Sequence, residues 1–130
     1  MPSLLTEMPD ASLWAGDVVR LVHDYDLGPG SAAVDLMVFD PRDDAGLGVI
    51  VVSGRKAGLI LSIFPKASCA TGKRSLETAW LLRHWNDWFC YTYPRDETDR
   101  LVPIPVKGTL VIRWDEREIA IKDHADSRPA

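Results

Sequence analysis

Two apolar runs lie back to back in the middle of this chain, and they constrain its fold more than any other feature. Gly48 to Ser53 reads Gly-Val-Ile-Val-Val-Ser and Leu59 to Phe64 reads Leu-Ile-Leu-Ser-Ile-Phe, with Gly54-Arg55-Lys56-Ala57-Gly58 between them. β-branched and apolar residues favour extended backbone, and a short glycine-bounded connection folds one run back on the other. The segment therefore predicts a β-hairpin. Both runs are apolar on both faces, which predicts central strands covered on each side. If the pair instead ends a sheet, its edge is a surface for a partner or for a second copy.

The next signal is helical. Ser75 is a good N-cap, and Glu77 falls in the first turn, where the helix dipole favours negative charge. Leu81, Trp85 and Trp88 recur at i, i+4 and i+7, so a helix from about 75 to 88 is expected, with Trp85 and Trp88 turned inward. Trp80 lies about 140° from Trp85 on a helical wheel and cannot share that face fully, so an exposed ring is expected within this cluster.

Elsewhere strands are expected at Asp17–His23, Ala33–Phe39 and Cys90–Tyr93. Turn-forming residues mark loops at 24–30 and 40–46. Thr109–Trp114 and Glu118–Lys122 predict a second hairpin, with Leu110, Ile112 and Trp114 on one face of its first arm. The resulting class is α+β: an antiparallel sheet of about six to seven strands packed on one main helix. At 130 residues the chain suits a single domain, here residues 1–122, followed by a polar tail at 123–130 that is expected to fray.

Charge is partitioned along the sequence. Residues 1–47 hold two basic and nine acidic side chains, residues 48–89 six basic and two acidic, and residues 90–130 seven and eight. The overall charge of −4 argues against nucleic acid as the main partner and suits a basic protein partner. The N-terminus lacks a basic region followed by an apolar run, and no stretch approaches the ~20 apolar residues of a membrane span, so a cytoplasmic location is expected.

Chemistry-bearing motifs are sparse. His23, His84 and His124 are isolated, and neither Cys69 nor Cys90 has a ligand-spaced neighbour, so no metal or other cofactor is expected. No Gly-x-Ser-x-Gly elbow and no phosphate-binding glycine loop precedes a helix. What remains is charge in loops: Asp24, Asp26, Asp40, Asp43 and Asp44 on the acidic side, Arg55 and Lys56 at the hairpin tip. These seven are the candidate partner-binding residues, since loop carboxylates can pair with cationic groups of a binding partner.

The hairpin around Ser53-Gly54-Arg55-Lys56-Ala57-Gly58-Leu59, the following Phe64-Pro65-Lys66, and Ser75 to Trp88 resemble the bacterial immunity proteins grouped as immunity family 45. The strands Gly16–Leu21 and Val34–Asp40 fit the same layout, and the resemblance spans roughly residues 12–93. It implies a small non-enzymatic α+β protein, encoded beside a toxin, that binds the cognate toxin domain and protects the producing cell. Two rival readings remain at this level. One is a small ligand-binding or scaffold domain; the other is an enzyme that reverses toxin damage, for which the sequence supplies neither nucleophile nor metal ligands.

Overall fold

The computed structural model describes residues 2–23, 33–54, 56–92 and 101–116. Among these residues ten short strands carry most of the regular structure: β1 (Ser3–Leu4), β2 (Ser12–Leu13), β3 (Val18–Leu21), β4 (Val34–Phe39), β5 (Gly48–Val51), β6 (Ile60–Ile63), β7 (Leu76–Glu77), β8 (Cys90–Thr92), β9 (Leu101–Pro103) and β10 (Leu110–Ile112). Six of them form one antiparallel sheet in the order β1-β10-β3-β4-β5-β6, while β2–β7 and β8–β9 make separate two-stranded ribbons. The α+β class read from the sequence is thus the observed one.

Alternation along β4 shows how the sheet divides its faces. Val34, Leu36 and Val38 are buried, and Asp35, Met37 and Phe39 between them are half-buried. On the buried face these residues join Val19, Val49, Val51 and Val111, and the helical segment contributes Leu81, Trp85 and Phe89 to the same cluster. Full burial of one such side chain contributes roughly 1.5–3 kcal/mol. The opposite face carries a cross-strand apolar row, one residue per strand: Ile112, Val18, Met37, Ile50 and Ile60.

Three expectations change. The helix over 75–88 is two shorter ones, α1 (Thr78–Arg83) and α2 (Trp85–Trp88), interrupted at His84. Ser75 does not cap it; its hydroxyl donates to the Glu77 carboxylate at 2.9 Å, and Leu76–Glu77 pair with Ser12–Leu13 as a ribbon instead. The interruption also exchanges the tryptophans. Trp80 is 8% exposed and Trp85 2%, while Trp88 is the exposed ring at 36%. Phe64 explains the exchange, because it packs edge-on against both Trp80 and Trp88, with centroids at 5.9 and 5.3 Å. Trp85 goes the other way, stacking on Phe89 and donating its indole N–H to the Ile104 carbonyl at 2.6 Å.

Second, the hairpin of β5 and β6 forms as expected, but only β5 is central. Among the described residues β6 ends the sheet, and its residues are exposed or half-buried where those of β5 are mostly buried. Third, β10 is not the first arm of a C-terminal hairpin: its two edges are taken by β1 and β3. Its alternation is as expected, with Thr109 and Val111 buried and Leu110 and Ile112 only partly so. The proposed second arm and the tail at 123–130 lie outside the described residues.

Asp17 ties this last strand in. Fully buried, its carboxylate accepts the backbone N–H groups of Trp14 and Trp114, both at 2.8 Å, and the Arg113 guanidinium lies 3.7 Å away. A buried carboxylate is tolerable only with such partners.

Candidate functional site

Two loops that are far apart in sequence meet beside the hairpin. The first follows β4. Asp40 Oδ1 accepts the Arg42 N–H at 2.7 Å, and Arg42 takes a positive φ of 57° to make this turn. Asp43 repeats the device two residues on, accepting the Ala45 N–H at 2.9 Å. Short side chains that bond their own backbone favour such turns over continued strand.

The second loop follows β6. Pro65 opens a 3₁₀ turn over Lys66–Ser68, and the Ser68 hydroxyl and N–H both bond the Pro65 carbonyl, at 2.7 and 2.9 Å. The Lys73 N–H closes on the Ala70 carbonyl at 3.0 Å, and Gly72 supplies the positive φ of 73° that this turn needs.

Arg74 fastens the loops together. Its guanidinium donates to Asp40 Oδ1 at 2.6 Å and Oδ2 at 3.3 Å, and also to the Ala45 carbonyl at 2.7 Å. The Arg74 hydrogen bonds, and secondarily the Arg42 N–H, hold the Asp40 carboxyl below the usual carboxylate range. The Asp40 bond likewise raises Arg74 above the ordinary guanidinium value. On the other side, the Gly46 N–H donates to the Phe64 carbonyl at 2.8 Å.

Between the loops lies a cleft of about 780 Å³, lined by Asp43, Asp44, Lys66, Lys73, Arg74, Cys69 and the small residues Ala67, Ala70, Thr71 and Gly72. Both signs of charge therefore line one concavity. Asp43 and Asp44 are exposed, as are Lys66 and Lys73. The described lining contains no histidine, and no group of three His, Cys, Asp or Glu side chains that could hold a metal occurs among the described residues. The charged lining can make ionic contacts with both signs of charge on a partner.

Of the residues singled out from sequence, Asp43 and Asp44 come together in this cleft, and Asp40 stands behind them as the partner of Arg74. Lys56 lies apart, in the β5–β6 turn, where its carbonyl accepts the Leu59 N–H at 3.0 Å. Asp24, Asp26 and Arg55 lie outside the described residues. Lys66, Lys73 and Arg74 were not anticipated, because 65–74 reads as a polar connection. The usable signal was the charge partition: three of the six basic residues of 48–89 fall in this loop, opposite an acidic one.

Residues 5–102 match the family described as immunity protein 45. The chain belongs to that family. This immunity protein has no match among curated proteins or solved structures. The matched span contains both loops of the cleft, the β5–β6 hairpin and the tryptophan cluster; β10 lies beyond it. Membership gives the chain a general role in toxin immunity, and with it a protein partner, the toxin. Such proteins are generally non-enzymatic. No helix among the described residues is long and apolar enough to cross a membrane.

Proposed function

We propose that this immunity protein neutralises its cognate toxin by binding it one to one and occluding the toxin's active site, with no catalysis of its own. The observation that carries the reading is the cleft, where exposed Asp43 and Asp44 share a concave surface with Lys66 and Lys73. Paired signs on a concave surface favour a charge-complementary protein partner over a small apolar ligand. Asp43 and Asp44 are the groups to meet substrate-binding Arg or Lys of the toxin, with Asp24, Asp26, Arg55 and Lys56 as further contacts. Asp40 acts through Arg74, holding the cleft open in its bound geometry. The complex forms in the cytoplasm of the producing cell, as one half of a polymorphic toxin pair encoded by neighbouring genes.

The test is co-expression with the tagged C-terminal domain of the adjacent gene's product, followed by size-exclusion chromatography with mass determination and a growth assay. A stable one-to-one complex with growth rescue is expected. Rescue at substoichiometric amounts without a complex would point to damage reversal and sink the binding mechanism.

A further inference from the structure

We propose that the edge of β6 is a second contact for the toxin, which adds one extended segment of its own there as a further strand. The inference rests on the immunity reading above and names the kind of segment involved.

Four large apolar side chains are exposed along this edge and its turn: Val52 at 41%, Leu59 at 45%, Ile60 at 51% and Ile63 at 39%. Single exposed apolar residues are ordinary, but a cluster beside a sheet edge marks a contact surface. The backbone is equally suited. Phe64 donates its N–H inward to the Leu47 carbonyl at 2.9 Å, so strand alternation turns the Ile63 N–H outward, away from β5. Ile60 also ends the apolar row Ile112-Val18-Met37-Ile50-Ile60, so an added strand with an apolar residue at that level continues the row.

Charge selects the occupant. Lys56 and Lys66 bracket β6 in sequence. A second copy paired antiparallel along β6 would bring the turn that carries Lys56 in each copy toward the Lys66 turn of the other, and like charge at strand ends opposes self-pairing. A toxin segment with apolar residues at its centre and carboxylates at its ends meets the same lysines with opposite sign. The edge is also continuous with the cleft, because β6 runs through Phe64 and Pro65 directly into Lys66 on the cleft wall. One toxin can therefore span both.

The experiment measures binding of the purified C-terminal domain of the adjacent toxin to the full immunity protein and to Ile60→Lys, with hydrogen exchange at Ile63 and solution mass alongside. Ile60 is half exposed, so Ile60→Lys should leave the melting temperature unchanged while weakening binding about tenfold or more. The Ile63 amide should gain protection only in the complex, and Lys56→Glu with Lys66→Glu should slow association. Unchanged affinity of Ile60→Lys and an unprotected Ile63 amide, with the wild type still binding toxin, would overturn the edge proposal and leave the immunity reading standing. A dimer of the free protein that Ile60→Lys dissociates would overturn it in favour of self-pairing. Absence of binding by the wild type would remove both readings together.

Discussion

Replacing Gly46 by alanine tests the joint between the two loops directly. A Cβ at this position would sit 2.7 Å from the Pro65 carbonyl oxygen, 2.8 Å from Ser68 Oγ and 3.0 Å from the Phe64 carbonyl oxygen. Comfortable non-bonded separations are about 3.5 Å or more, and two of the three obstructing atoms belong to backbone that cannot swing aside. The loops must separate by several tenths of an ångström, at an overpacking cost of about 1–3 kcal/mol. Separation also stretches the 2.8 Å bond from the Gly46 N–H to the Phe64 carbonyl, worth about 1 kcal/mol. The sum is roughly 2–4 kcal/mol, and for a domain of this size about 4 °C accompanies each kcal/mol, so a fall of roughly 8–16 °C is expected. Thermal and urea unfolding followed by circular dichroism would read it, with the urea slope unchanged. Adding Ser68→Ala relieves one contact but leaves both carbonyl oxygens and removes the 2.7 Å bond from the buried Ser68 hydroxyl to the Pro65 carbonyl, so the double variant should recover none of the loss. A melting shift of Gly46→Ala below about 2 °C would show that the loops are not in this close contact.

Other outcomes follow from the same geometry. Asp43→Ala with Asp44→Ala should weaken toxin binding and flatten its salt dependence, read by calorimetry at two ionic strengths, while stability falls by no more than about 1 kcal/mol, the worth of the exposed turn bond from the Ala45 N–H to Asp43. Trp85→Phe keeps most of the ring but strands the Ile104 carbonyl that now receives a 2.6 Å bond, and should lower stability by about 1–3 kcal/mol in urea titration. The Asp40 carboxyl is held below its ordinary value of 3.8, so its contribution is complete above that pH and is lost as the pH falls through the lower folded value. Acid unfolding of Asp40→Asn should lack that part of the pH dependence. Gly72 has a φ of 73° and open space around it, so Gly72→Asn should be tolerated and Gly72→Val should cost about 1–2 kcal/mol by thermal melting.

The hairpin of 48–64 was legible because its signals are local: two β-branched runs and a glycine-bounded turn. The position of β6 in the sheet was not, since composition is the same for a covered strand and for an apolar edge reserved for a partner. The helix was overextended for a related reason. Ser75 and Glu77 carry the composition of an N-terminus, but a tertiary pairing with Ser12–Leu13 claims Leu76–Glu77 and moves the start to Thr78. The break at His84 then carries Trp80 to the Phe64 cluster, which a wheel drawn for one unbroken helix cannot show. In the cleft, Asp43 and Asp44 were visible as turn carboxylates. Their basic neighbours were hidden because the contact depends on Arg74 reaching Asp40 across 34 positions.

Sheet order has a consequence during biosynthesis. Because β10 lies between β1 and β3, these two strands must wait for one that follows every other described strand in the chain. While the ribosome is still adding residues 22–109, β1 has no neighbour and one side of β3 stands empty. The Asp17 carboxylate likewise lacks the Trp114 N–H that it will eventually accept. Such long-range closure is slow compared with forming the local hairpin of β5 and β6. A chain cut before Leu110 should accordingly hold its hairpin and cleft loops only loosely. The assembled fold becomes available only once the segment beyond 110 clears the exit tunnel.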